Sequence, residues 1–167
     1  MKIPGLLIVL FFASCSNSSN NNTSLSANKP VDTESVQKAV RKMAADIAND
    51  LSVTGPTAWL NYFEQTPGFF MANNGQRVFA NNDSATHFVK EVLAANIMKI
   101  KLTWNNMYID SLSPSMAMLS AKYSESLIDK DNKTTYSDGY FTGIAEKTSN
   151  GWKLRNLHWS TFSDIKD

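Results

Sequence analysis

Apolar residues in the first third of the chain recur at helical spacing. Asp32 or Thr33 can cap a helix there, because a short polar side chain accepts a hydrogen bond from a free backbone N–H. Intervals of three or four residues keep the apolar side chains on one face of the helix. The stripe defined in this way is Val36, Val40, Met43, Ile47 and Leu51. The pattern predicts a first amphipathic helix with one buried face.

Proline and glycine divide the next segment into short elements. Gly55 and Pro56 end the first helix and open a second one, since proline suits a first helical turn. The second helix is short and stops at Thr66 and Pro67. Its aromatic residues are Trp59, Tyr62 and Phe63.

A hairpin and a third helix follow. Residues 69–72 and 76–79 flank Asn73-Asn74-Gly75, a sequence typical of a tight hairpin turn. Asp83 or Ser84 can cap a helix that runs to about residue 96. Its apolar positions are Phe88, Val89, Val92 and Leu93.

From residue 97 onward the apolar period changes to two. Met98, Ile100, Leu102 and Trp104 alternate with polar residues, as in a half-buried strand. Further strands are predicted at residues 116–129, 134–147 and 152–162, separated by polar turns. Because helices and a hairpin precede a meander of long strands, the sequence predicts an α+β domain with helices on one face of a curved antiparallel sheet.

The N-terminus has the pattern of an export signal. Lys2 supplies a positive charge, and residues 3–12 form an apolar run interrupted by Pro4 and Gly5. A membrane span needs about 20 apolar residues, so a signal peptide is favoured over a transmembrane helix. The run ends in Phe12-Ala13-Ser14-Cys15, which resembles a bacterial lipobox, with Phe12 where an aliphatic residue is usual.

Cys15 is the single cysteine of the chain, so it forms no internal disulfide, and acylation explains its position. An ordinary secretory peptide cleaved near the small residues Ala13 and Ser14 is the alternative. Lipidation predicts a signal peptide at residues 1–14, an acylated Cys15 with a Ser/Asn-rich tether over 15–31, a folded domain at 32–163 and a tail at 164–167. Because Ser16 rather than Asp follows Cys15, we expect an anchor on the periplasmic side of the outer membrane, within the cell envelope.

Charge and composition narrow the functional classes. The chain has 167 residues, 43% of them hydrophobic, which suits one domain with a substantial core. Its net charge is +1, and removal of Lys2 leaves 15 basic against 15 acidic residues. A neutral chain without a Lys/Arg cluster is not expected to bind nucleic acid. With two histidines and no ligand spacing, no metal site or cofactor is expected.

Three segments of the predicted domain resemble the SnoaL-like branch of the nuclear transport factor two-like superfamily, which has a cystatin-like α+β cone. They are residues 59–63 (WLNYF), 69–75 (FFMANNG) and 150–160 (NGWKLRNLHWS). The last looks like the family's terminal strand, with a Gly-Trp opening and a late histidine. The resemblance implies a sheet of about six strands wrapped around three helices, with a pocket inside. Members include ketosteroid isomerase, polyketide cyclases, dehydratases and non-enzymatic modules, so the fold implies no particular reaction.

We select candidate pocket residues on two grounds, the family resemblance and the alternation of side chains along a strand. On the last strand, alternation places Trp152, Leu154, Asn156, His158 and Ser160 on one face. His158 matches the family's late histidine and is the best catalytic candidate; a structural histidine satisfied by a neighbour is the alternative. The candidate pocket residues are Tyr62, Trp104, Tyr123, Asn156 and His158.

Ketosteroid isomerase-type chemistry also requires a carboxylate in an apolar pocket. Residues 69–72, where such a base is expected, contain no acid. Glu125 and Asp138 lie on later predicted strands, where alternation could direct either side chain into solvent. The sequence therefore does not reveal the isomerase pair.

Three functions follow as hypotheses. The first is a membrane-anchored lipoprotein that binds a small apolar or amphipathic ligand in the cone. The second is an isomerase or lyase of the ketosteroid isomerase or dehydratase type, using His158 with Tyr62 or Tyr123. The third is a module that forms homodimers through the outer face of its sheet.

Overall fold

The first helix follows its sequence pattern closely. The computed structural model describes residues 32–162, and α1 covers Thr33–Thr54. Asp32 is its N-cap, with Oδ1 accepting a hydrogen bond from the Ser35 N–H at 3.1 Å. All five residues of the predicted stripe are buried. The prediction for this helix is confirmed.

A 3-10 helix and a hairpin come next. The 3-10 helix covers Pro56–Asn61 and buries Trp59. Strands β1 (Phe70–Asn73) and β2 (Gln76–Phe79) pair antiparallel. The turn between them has positive φ at Asn74 (47°) and Gly75 (80°), the conformation that Asn-Gly tolerates best. The predicted hairpin is confirmed.

The third helical region combines three kinds of helix. It consists of α2 (Asn82–His87), a π-helical segment (Phe88–Leu93) and the single turn α3 (Ala94–Asn96). The cap is Asn81 rather than the predicted Asp83 or Ser84. Asn81 Oδ1 accepts a hydrogen bond from the Ser84 N–H at 2.9 Å, and the Ser84 hydroxyl accepts one from the Asn81 N–H. Together the two hydrogen bonds form a capping box.

Six strands form one sheet in the order β2-β1-β6-β5-β4-β3. The long strands are β3 (Ile97–Ser113), β4 (Met116–Asp129), β5 (Thr134–Thr148) and β6 (Gly151–Thr161). The strand count is as predicted, but the sheet is mixed rather than antiparallel, because β1 runs parallel to β6. The sheet is not closed, since β2 and β3 are its two edges.

Extra residues in β3 and β6 interrupt the alternation of side chains. In β6, Asn156 pairs with Ile144 and Leu154 pairs with the next residue, Ala145, so Arg155 is an unpaired bulge residue. In β3 a similar shift occurs between Asn105 and Tyr108. Such bulges bend a strand and exchange its two faces beyond the extra residue.

The bulge in β6 overturns the alternation predicted from sequence. Leu154 and Leu157 are both buried, although they are three residues apart. Beyond Arg155, Leu157 and Trp159 face the interior, and His158 is exposed. The predicted common face of Leu154 and His158 is therefore wrong.

The core lies between α1 and the inner face of the sheet. Its largest fully buried side chains include Ile47 and Leu51 from α1 and Phe141 and Leu119 from the strands. Trp104 fixes the two layers to each other, because its indole Nε1 donates to the Ala44 carbonyl at 2.9 Å. Burial of these apolar surfaces is the main contribution to stability.

Candidate functional site

A cavity of about 290 Å³ lies at the end of the core, between the sheet and the helical segments. Its volume is near the lower end of the range for small-molecule pockets. The sheet supplies one wall, while the 3-10 helix with Phe63, the β1–β2 hairpin and the π-helical segment supply the others. The side chains that line it are Trp59, Phe63, Met71, Asn73, Phe79, Phe88, Val89, Leu93, Ile100, Tyr123, Glu125, Leu127, Ser137, Leu157, Trp159 and Thr161.

Aromatic rings make up much of the lining. Six of the residues just named are aromatic. Trp159 is the central one: its ring meets Tyr123 edge-on at a centroid distance of 4.8 Å and Trp59 edge-on at 5.9 Å. Phe79 and Phe88 form a second pair at 5.1 Å. These pairs hold the rings in fixed orientations.

A row of residues across three strands places a hydroxyl pair in the cavity wall. Tyr123 on β4 lies opposite Gly139 on β5, which lies opposite Thr161 on β6. The Tyr123 ring crosses over Gly139, and its hydroxyl is 3.2 Å from Thr161 Oγ1. A Cβ on Gly139 would lie 2.7 Å from the ring, so this crossing requires glycine.

Glu125 is the one carboxylate among the lining residues. It lies two residues after Tyr123 on the same face of β4, opposite Ser137 on β5. Burial raises the pKa of the Glu125 carboxyl, and the hydrogen bond that Ser137 Oγ donates at 3.4 Å lowers it in part. A carboxyl with a raised pKa in an apolar cavity can donate a hydrogen bond, accept a proton or pair with a cation.

The structure places only one of the five candidate pocket residues in the lining of the cavity. Tyr123 lines the cavity, whereas Tyr62, Trp104, Asn156 and His158 do not belong to its lining. Trp104 packs behind it, with its ring 5.7 Å from that of Trp159.

Tyr62 has a structural contact instead. Its hydroxyl donates to Asp50 Oδ2 at 2.6 Å and so ties the 3-10 helix region to α1. Burial raises the pKa of the Tyr62 phenol, and the hydrogen bond with Asp50 and the negative charges of Asp50 and Asp46 raise it further. The phenol therefore stays protonated.

Asn156 and His158 lie on the face of β6 opposite to the cavity. Asn156 Nδ2 donates to the Gly68 carbonyl at 2.8 Å, which holds the loop before β1. His158 is exposed and pairs across the sheet with Thr142 and Ala72. Neither side chain is placed to touch a ligand in the cavity.

The predicted signal peptide, the proposed acylation site Cys15, the tether and the C-terminal tail lie outside the described residues. Within residues 32–162, no helix has the length and apolar character of a membrane span, and no group of His, Cys, Asp or Glu side chains is arranged to hold a metal ion.

Sequence reasoning left Glu125 undecided and did not find Trp59, Trp159 or Thr161. A signal for Glu125 was present, because it continues the apolar alternation of β4 between Tyr123 and Leu127. An acid that interrupts an apolar stripe without breaking its period is expected to face inward.

Solved structures share this architecture. A nuclear transport factor two-like superfamily protein from Salmonella enterica matches with 13% identity and a TM-score of 0.66, over 79% of this chain and 94% of that chain. A protein described as a scytalone dehydratase candidate, from Novosphingobium aromaticivorans, matches with 14% identity and a TM-score of 0.66, over 78% and 86%. A hexachlorocyclohexane dehydrochlorinase, LinA-type3 from Novosphingobium barchaimii, matches with 11% identity and a TM-score of 0.57, over 79% and 93%.

The sequence matches no protein-family model and no curated protein. At these identities the structural matches establish the fold, which is the nuclear transport factor two-like cone predicted from residues 59–63, 69–75 and 150–160. They do not establish a reaction, because this fold carries several unrelated functions.

Proposed function

We propose that the domain binds a small, largely apolar ligand with one polar group in the cavity of the cone. The observation that carries this proposal is a cavity of about 290 Å³ whose aromatic lining contains one carboxylate. Apolar walls with a few placed polar groups are typical of ligand sites.

The polar groups lie together, which gives the ligand an orientation. Glu125 and Tyr123 are neighbours on β4, while Ser137 and Thr161 face them from β5 and β6. The opposite walls, from the hairpin and the π-helical segment, are mainly apolar. The polar end of the ligand therefore faces β4 and its apolar part faces Phe79 and Phe88.

Native mass spectrometry tests this proposal. The chain from residue 15 onward, made with Cys15→Ser so that it carries no acyl group, should show an added mass that denaturation removes. Trp159→Ala should abolish the added mass, because Trp159 lines the cavity. His158→Ala, the next residue on the opposite face, is the matched control and should retain it. Equal ligand loss in both variants would contradict the assignment of the site.

An isomerase or lyase is the second candidate, and Glu125 is the observation that favours it. A carboxyl with a raised pKa in an apolar cavity can transfer a proton, and a phenol such as that of Tyr123, which lines the same cavity, can donate a hydrogen bond to a developing negative charge. In this mechanism Glu125 replaces His158, which is exposed. Small cyclic enones incubated with the protein in D₂O should gain deuterium next to the carbonyl, and Glu125→Gln should stop the exchange. Absence of exchange with the unaltered protein would leave binding as the function.

We also propose that acylation of Cys15 anchors the protein to a membrane. It is supported by the apolar run at residues 3–12 and the small residues before Cys15. Metabolic labelling with an alkyne analogue of palmitate should mark the protein and move it to the membrane fraction. Cys15→Ser should lose the label. A labelled Cys15→Ser chain would refute the lipobox interpretation.

The homodimer hypothesis has weaker support. The exposed face of β4 and β5 mixes Tyr136 and Tyr140 with Lys122 and Asp138. Charged side chains interrupt this surface, whereas a large continuous apolar patch is the feature that marks an interface. The cavity is therefore the better basis for a function.

A further inference from the structure

The Glu125 carboxylate has no cationic partner in the cavity wall. None of the described residues that line the cavity is Lys, Arg or His. Directly across the sheet, Glu125 faces Leu102 on β3 and Ser137 on β5. The hydroxyl of Ser137 donates one long hydrogen bond, at 3.4 Å. The Glu125 side chain is half-buried, and a carboxylate that is largely removed from water is stabilised by a positive partner, a place that this cavity leaves to a ligand.

The rest of the lining suits a positive charge. Six aromatic rings line the cavity, and the faces of aromatic rings attract cations. Stacking on Phe63 covers one face of Trp59, stacking on Trp104 covers one face of Trp159, and the two indoles meet edge to face at 88°. An aromatic surround with one carboxylate is the combination that recognises alkylated ammonium groups.

We propose that the ligand is a small organic cation, an alkylammonium whose charged group pairs with the Glu125 carboxylate inside the aromatic lining. This inference rests on the proposed ligand-binding function and specifies the class of ligand. An anionic ligand is disfavoured by Glu125. A neutral ligand with a carbonyl group is the alternative, and it would use the opposite protonation state of the same side chain.

The two ligand classes differ in the sign of their pH dependence. A permanently charged ammonium binds the ionised carboxylate, so its affinity rises as pH increases through the pKa of Glu125. A carbonyl oxygen accepts a hydrogen bond from the protonated acid, so its affinity falls over the same interval. Tyr123 and Glu125 are the titratable side chains among the lining residues, and no charged residue of β3, β5 or the helical segments lines the cavity.

Choline and its uncharged carbon isostere, 3,3-dimethylbutan-1-ol, test the proposal as a matched pair. They have nearly the same shape and differ in the charge of one atom. Binding is followed by tryptophan fluorescence, since Trp59 and Trp159 line the cavity, in the chain from residue 15 with Cys15→Ser. At pH 8 we expect choline to bind about tenfold more tightly than the alcohol, a difference of roughly 1.4 kcal/mol. The preference should decrease toward pH 4.

Glu125→Gln is the matched variant, because it keeps the shape of the side chain and removes its charge. It should reduce the preference for choline to within about twofold and abolish its pH dependence. Binding of the alcohol without choline would overturn the cation proposal and leave ligand binding in place. Failure of both probes would also overturn the cation proposal, and the ligand-binding proposal would fall with it only if the native mass spectrum showed no added mass. Equal choline binding by Glu125→Gln would also overturn the assignment to Glu125.

Discussion

Replacement of Gly139 by alanine should disturb both the sheet and the cavity. A Cβ at this position would lie 2.7 Å from Tyr123 Cε1 and 2.8 Å from Cζ, against an ordinary contact of at least 3.4 Å. It would also overlap the Ser160 carbonyl oxygen, which belongs to the backbone of β6. The ring can move, but the backbone oxygen cannot move without loosening the pairing of β5 with β6.

The expected cost follows from these two overlaps. Overpacking in a well-packed interior costs about 1–3 kcal/mol, and an overlap with backbone places Gly139→Ala at the upper end. For a domain of this size, about 3 kcal/mol lowers Tm by roughly 10 °C. The displaced Tyr123 ring would also leave Thr161, so ligand binding in the cavity should weaken.

Thermal unfolding followed by circular dichroism measures this loss, and Gly68→Ala is the control. A Cβ on Gly68 would meet the guanidinium of Arg155 at 2.9 Å, the far end of a flexible side chain that can move away. Its Tm should stay within about 3 °C of the unaltered protein. In the double variant Gly139→Ala/Tyr123→Ala the two losses should not add, because removal of the ring relieves one overlap. Equal Tm values for Gly139→Ala and Gly68→Ala would refute the reasoning.

Three further predictions concern single contacts. Folding raises the pKa of Glu125, so the unaltered protein loses stability as pH rises from the ordinary glutamate pKa through the raised value; in urea unfolding, the advantage of Glu125→Gln should be larger at pH 7.5 than at pH 4.5. Tyr62→Phe removes the hydrogen bond to Asp50 and should cost about 1–2 kcal/mol in urea unfolding without changing ligand affinity. Asn74 has a φ of 47° and accepts a hydrogen bond from the Thr161 N–H at 2.8 Å. Asn74→Gly should lower the free energy of unfolding by about 1 kcal/mol because the hydrogen bond is lost, and Asn74→Ala by roughly 1 kcal/mol more because of backbone strain, both measured by Tm.

Local signals were sufficient to predict most elements of the fold. The cap at Asp32 and the Asn-Gly turn act within four residues, and the predicted bounds of β4 agree with those observed. The parallel pairing of β1 with β6 was not predicted, because it joins segments more than 80 residues apart along the chain. Such pairing depends on where the hairpin packs and leaves no periodic signal in either strand.

The site was harder to predict because the orientation of one strand depends on a single residue. Without the bulge at Arg155, the face of β6 that buries Leu154 would also carry His158. The bulge directs Trp159 into the cavity and His158 outward. Leu154 and Leu157 are both buried although they are three residues apart, and regular alternation buries only residues an even number apart. The odd spacing of these two leucines is the sequence signal that indicates a bulge.

The carboxylate of Glu125 lowers the stability of the folded protein, and no contact among the described residues compensates for that loss. Ser137 supplies one long hydrogen bond, and an apolar side chain between Tyr123 and Leu127 would complete the stripe of β4. Replacing a half-buried acid that has no cationic partner with a neutral side chain commonly stabilises a protein, whereas functional sites often retain such a destabilising group. If Glu125→Gln is more stable at pH 7.5 and also loses its preference for choline, the carboxylate is retained for the ligand. If Glu125→Gln is more stable and binds choline as well as the unaltered protein does, the negative charge does not contribute to cation binding. Proton transfer then becomes the better explanation for a carboxyl at position 125.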